Sequence, residues 1–135
     1  QEKEKELAKY QAYELVETAK IVEDVKLIAA VIPGSAREIL RSMGDNLKAK
    51  LGSGIIVLGS EVEGKAVLIS MVTKDLIEKG FNAGSILSQI ASIIEGSGGG
   101  RADMAQAGGK NPAKLKEAID KVEFLIRSGT ALSKK

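Results

Sequence analysis

The chain has 135 residues, 44% of them hydrophobic and 28% charged, which fits one globular domain with a real core and leaves no room for two independent catalytic domains. It contains no cysteine and no histidine. That excludes a disulfide framework and thiolate metal sites, and it removes the commonest metal ligand and the commonest general base. The formal net charge is only +2, too small by itself to point to a nucleic acid.

The longest apolar stretches, Leu27 to Ile32 and Ile55 to Leu58, fall far short of the roughly 20 residues that span a bilayer. No secretory profile opens the chain, so a cytoplasmic location is expected. Starting at Gln1 without an initiator methionine and already in a helical pattern, the sequence reads as a piece of something longer.

Residues Glu2 to Lys20 predict a helix, with Ala8, Ala12, Leu15 and Ala19 at three- and four-residue intervals. The stripe is thin, so this helix must pack on the globular part or on a second copy of itself. We take residues 1–21 as the tail of a helical linker or an oligomerisation helix, and residues 22–135 as the globular α/β domain.

Val25 to Ile32 reads as a strand that stops at the turn signal Pro33-Gly34. Ser35 and Glu38 have capping-box spacing, and Ile39, Leu40, Met43, Leu47 and Leu51 give the following helix one apolar face up to Gly52. Ile55 to Leu58 is apolar without alternation, as a central strand covered on both faces is. A polar turn from Glu61 to Gly64 then leads into Ala66 to Val72, which predicts an antiparallel hairpin. The first strand reaches this hairpin through a helix, the pattern of a parallel βαβ crossover.

Asp75 to Lys79 reads as a short helix closed by Gly80, and Asn82 as the cap of a second, very apolar helix ending at Gly96. A glycine-rich loop with a short strand over Ala102 to Ala107 comes next. Asn111 and Pro112 are placed as N-cap and first-turn residues of a last helix, which Gly129 ends. The expected architecture is a mixed four-stranded sheet packed with helices.

The loop carries the functional signal. From Gly96 to Gly109 the chain reads GSGGGRADMAQAGG, far more glycine than a core requires. Bare backbone lets a ligand approach and exposes amides that bind anions, and Arg101 adds a planar donor suited to phosphate. From Ser97 onward there are eight basic residues against four acids, a surplus of +4, so the residues before it carry −2. We select Gly98, Gly99 and Gly100 as close-approach positions and Arg101, Lys110, Lys114 and Lys116 as phosphate contacts. The spacing matches neither the P-loop nor the dinucleotide fingerprint. No catalytic pair is recognisable among Asp24, Asp45, Glu61, Glu63, Asp75 and Asp103, and no metal or cofactor site is expected.

The run GGGRADMAQAGG from Gly98 to Gly109 resembles the hallmark of the DHH-associated domain shared by alanyl-tRNA synthetases and DHH-type phosphoesterases. The likeness extends less sharply upstream through LKAKLGSGIIVLGS, Leu47 to Ser60. It departs at Ala102, where the family usually has proline, which leaves the turn after Arg101 slightly looser.

The resemblance implies the C-terminal domain of an alanyl-tRNA synthetase, non-catalytic by itself. Such a domain binds the tRNA elbow and couples aminoacylation with editing, and its partners are alanine-specific tRNA and the other domains of the parent. ATP and zinc would belong to the rest of that enzyme. Two alternatives stay open: an oligomerisation module forming a homodimer through the N-terminal helix, and the substrate-binding domain of a DHH-type phosphoesterase. Few aromatic residues are available to stack bases, so contacts to shape and backbone are expected, with a log-log salt slope of about −2 to −3 for about three phosphates.

Overall fold

In the computed structural model, residues 15–32, 34 and 36–128 are described. Six strands, β1 (Lys20–Val22), β2 (Val25–Val31), β3 (Ile55–Val62), β4 (Lys65–Val72), β5 (Gly96–Gly100) and β6 (Met104–Gly109), form one mixed sheet in the order β1-β2-β3-β4-β6-β5. Four helices cover it: α1 (Arg37–Leu51), α2 (Lys74–Glu78), α3 (Ala83–Ala91) and α4 (Leu115–Ser128). Short 3₁₀ turns follow α3 at Ser92–Ile94 and precede α4 at Pro112–Lys114.

The centre of the sheet follows from side-chain alternation. On β3, Ile55 and Val57 enter one core while Ile56 and Leu58 enter the other, so a continuous apolar run serves two faces. On the second face α1 lays Leu40, Met43 and Leu47 against Ile28, Ile56, Leu58, Ile69 and Met71. The first face receives α3 through Ile86, Leu87 and Ile90, and α4 through Leu115, Ala118, Ile119, Val122, Leu125 and Ile126. Leu47 is fully buried, and truncating it to alanine would cost about 2–5 kcal/mol.

The crossover from β2 through α1 to β3 is parallel, and β3 pairs antiparallel with β4 through the expected turn. Asn82 caps α3 as expected, its side-chain oxygen accepting the Ser85 amide at 2.9 Å.

The sheet has six strands rather than four, and both additions lie at its edges. Lys20, assigned to the end of the N-terminal helix, is the first residue of β1, which turns back on β2 through Glu23 and Asp24 with φ of 51° and 68°. Two left-handed residues fit a tight hairpin turn, but Glu-Asp carries none of the usual Asn-Gly signal. The helix expected over Glu2–Lys20 otherwise falls mostly on residues 1–14, outside the described range, as does any pairing of those residues between copies.

The second addition is β5: the expected glycine loop is a strand, and the partner strand expected over Ala102–Ala107 runs from Met104 to Gly109. Ser35 lies outside the described residues, so the capping box does too. Helix α1 begins at Arg37 with Ala36 at its N-cap and no side-chain cap bond. The chain beyond Ser128, including Gly129, is likewise outside the described range.

Candidate functional site

The glycine hairpin sits at the end of the sheet opposite β1, with β5 as its outermost strand. Its register pairs Gly96 with Gly109, Gly98 with Ala107 and Gly100 with Ala105. Most of these glycines are required by packing. A Cβ at Gly96 would fall onto the Gly108 carbonyl, and one at Gly98 onto the backbone and side chain of Ala107. At Gly100 it would lie 2.7 Å from the Met104 carbonyl oxygen. Strand β5 therefore curls over β6 too closely to carry side chains at alternate positions.

Gly99 differs. A Cβ there would meet nothing within 4 Å, and its φ is not in the left-handed region, so nothing in the described fold demands glycine. Alternation places Gly99 and Ser97 on the same sheet face as Gln106 and Gly108, opposite to the buried Ala105 and Ala107. Ser97 through Gly100 are exposed.

The hairpin tip is held firmly. The Arg101 amide donates to the Met104 carbonyl at 2.9 Å, and the Val72 amide donates to the Asp103 carbonyl at 3.1 Å. The first amides of α3, Ala83 and Gly84, donate to the Ala102 and Arg101 carbonyls, so that helix start is occupied by the tip. At the base, the Lys110 and Asn111 amides donate to the Glu95 and Ile94 carbonyls, and the Asn111 side chain donates to the Glu95 carboxylate at 2.8 Å. Asn111 therefore clasps the hairpin base and makes no side-chain cap bond to the following turn, which Pro112 opens.

The selected cations fall in three places. Arg101 is at the hairpin tip, exposed, with its Nε 3.2 Å from an Asp103 carboxylate oxygen. Lys110 is at the base; five residues of strand separate it from the tip, about 17 Å at the usual rise per residue. Lys114 and Lys116 stand on the approach to α4 and its first turn, 3.5 Å from Glu117 and 3.7 Å from Asp120. Lys116 also lines a groove of about 800 Å3 whose other charged residues, Glu61, Glu63 and Asp120, are acidic. The structure thus gathers the three glycines with Arg101, sets Lys110 at the far end of the same hairpin, and puts Lys116 on a separate, acidic surface.

Sequence reasoning missed two further cations at the hairpin base, Arg37 and Lys65, which line one groove with Gly96, Gly108 and Lys110. No linear signal joins positions 37, 65 and 110; only the register of β4 against β6 and the placement of α1 do so. Among the described residues, no group of three or more acids is gathered as a metal site, and no helix is long and apolar enough to cross a membrane.

A family model described as the DHHA1 domain matches residues 24–128. The chain belongs to that family. Its DHHA1 sequence is 50% identical over 115 residues to the alanine–tRNA ligase of Natranaerobius thermophilus, a match covering 85% of this chain and 13% of that protein. It is 47% identical over 122 residues to the alanine–tRNA ligase of Bacillus subtilis, covering 90% of this chain and 14% of that protein. The chain therefore spans about one seventh of the length of these relatives.

Among solved structures, the C-Ala domain of Aquifex aeolicus alanyl-tRNA synthetase superposes with a TM-score of 0.73 at 29% identity, covering 81% of this chain and 97% of that one. RecJ of Thermus thermophilus shares the fold, with a TM-score of 0.59 at 14% identity, covering 98% of this chain and 19% of that one.

Proposed function

We propose that this DHHA1 chain is the non-catalytic, tRNA-binding C-terminal domain of an alanyl-tRNA synthetase, that it grips the tRNA elbow through backbone contacts, and that it thereby couples aminoacylation with editing in the parent enzyme. The observation that carries this reading is the exposed glycine edge strand, bounded by Arg101 and Lys110, in a chain 42–50% identical to alanine–tRNA ligases. The phosphoesterase alternative has only fold-level likeness, at 13–14% identity, behind it.

Contacts to shape and phosphate fit the surface better than base reading does. Of the aromatic residues in the described range, Phe81 packs against the core and Phe124 lies under Lys121, 4.5 Å from its ammonium, so neither forms a stacking platform on the hairpin. Backbone amides and cations remain, and they recognise phosphate without regard to base identity. Gly98, Gly99 and Gly100 bring the main chain close, and Arg101 and Lys110 supply charge. The ion pairs of Arg101 and Lys114 are exposed and weak enough to exchange for phosphate, whereas Lys116 stands on the acidic surface and is left out of the contact set.

Filter binding of alanine tRNA tests this directly. Arg101→Ala and Lys110→Ala are each expected to weaken binding severalfold at about 0.1 M salt, where a phosphate contact contributes on the order of 1 kcal/mol. Wild-type affinity in both variants would remove the hairpin as the site. The chain alone is expected to charge and deacylate no tRNA.

A further inference from the structure

Three exposed cations meet at the base of the glycine hairpin. Arg37 opens α1, Lys65 opens β4, and Lys110 follows β6. The ladder between β4 and β6 ends with Ala66 paired to Gly109, and Lys65 and Lys110 follow directly on either side of that last pair and line one groove. Like charges gathered in one groove repel. The guanidinium of Arg37 joins them by reaching over Gly108, where it would lie 3.5 Å from an added Cβ.

Glu95 is the acid in this groove of about 410 Å3, and its carboxylate is engaged by the Asn111 side chain. Three positive groups against one negative leave +2. Among the described residues no carboxylate lies within ion-pair distance of Arg37, Lys65 or Lys110. Arg101, Lys114 and Lys116, by contrast, each have one. Concentrating unpaired like charge beside bare backbone costs the free protein repulsion that an anion would relieve.

From this cluster the partly exposed face of β5 and β6 runs toward Arg101. It carries Ser97, Gly99, Gln106 and Gly108, while the apolar stripe of α1 is spent over β2, β3 and β4. Gly99 lies on that path, and it is the glycine of β5 whose bareness the fold does not explain.

We propose that Arg37, Lys65 and Lys110 form the principal phosphate cradle of this domain, and that an RNA backbone anchored there passes over Gly99 toward Arg101. The proposal rests on the tRNA-binding reading above and deepens it by moving the main charge contact from the tip of the hairpin to its base. The ligand chemistry is the phosphodiester backbone of folded RNA. Arg37, Lys65 and Lys110 hold phosphate oxygens, and Gly99 leaves the clearance that the chain of phosphates and sugars requires.

The test compares tRNA binding by the 135-residue chain with three altered forms across a salt series. The triple variant Arg37→Gln, Lys65→Gln, Lys110→Gln is expected to lose at least about tenfold in affinity at 0.1 M salt. Its log-log salt slope should shrink by about 0.7–0.9 for each cation removed. Gly99→Val, which the open space around it accommodates, should weaken binding while leaving the thermal transition in place. Lys79→Gln, an exposed cation at the end of α2, serves as the control and should bind as wild type. If the wild-type chain binds tRNA and the triple variant binds equally well with the same slope, the cradle is wrong while the tRNA reading stands. If the wild-type chain does not bind tRNA at all, the reading fails and takes the cradle with it.

Discussion

Gly98 and Gly99 are neighbours in sequence and opposites in what keeps them glycine. A methyl group at Gly98 would collide with Ala107 in the paired strand, whereas one at Gly99 would enter open space. Gly98→Ala is therefore expected to destabilise the domain by about 1–3 kcal/mol through overpacking. Gly99→Ala is expected to stay within about 0.5 kcal/mol of wild type, or to gain slightly from reduced unfolded-state entropy. Paired urea titrations read both, and equal losses would mean that the two positions are constrained alike. The glycine density was plain in the sequence. Which glycines serve packing was not, because that depends on which of them faces a neighbouring backbone.

At the scale of elements, the sequence was legible wherever periodicity and burial act together. Strands β3 and β4 and helices α1, α3 and α4 each present a full apolar face, and all were anticipated within a few residues. The edge strands were not. Strand β1 is three residues long and hidden in a helical pattern, and β5 is built of glycine and serine, whose intrinsic preference opposes a strand. What makes β5 a strand is its pairing with β6 and the packing of α3 beside it, and both are tertiary. The cradle cations were illegible for the same reason, since they come from three separate elements.

One loop connection at this scale is expected to respond to acid. Asp75, in the first turn of α2, accepts hydrogen bonds from the hydroxyls of Ser53 and Thr73, and Thr73 in turn accepts the buried Gly54 amide at 3.0 Å. The Ser53 and Thr73 hydroxyls hold the Asp75 carboxyl below its ordinary range. A carboxyl depressed in the folded state contributes stability above its unfolded value, about 3.9, and loses it as pH falls through the folded value. Wild type should therefore lose stability as pH falls below about 4 more steeply than Asp75→Asn, with the two converging at the acid end. Denaturant midpoints over that range check it; parallel curves would show that the network does not depend on the charge.

For the whole molecule, a net charge of +2 hides an arrangement more polar than its sum. The two sides of the approach to α4 carry opposite character. The groove holding Glu61, Glu63 and Asp120 repels a polyanion, and the groove holding Arg37, Lys65 and Lys110 attracts one. On the reading proposed above, an RNA approaching this surface would be oriented before it makes contact. With the three cradle cations and Arg101 engaged, four phosphates are neutralised, and the log-log salt slope should lie at about −2.8 to −3.6. Because these contacts ignore base identity, tRNAs of different acceptor and anticodon sequence but the same folded elbow should bind within a few-fold of one another. Equilibrium binding of several tRNAs across 50–200 mM salt, a range that resolves such slopes, measures both quantities together. A slope near zero would show that the charge placement is irrelevant to binding. Strong selectivity for the alanine acceptor stem would show that the contacts reach bases this surface is not equipped to read.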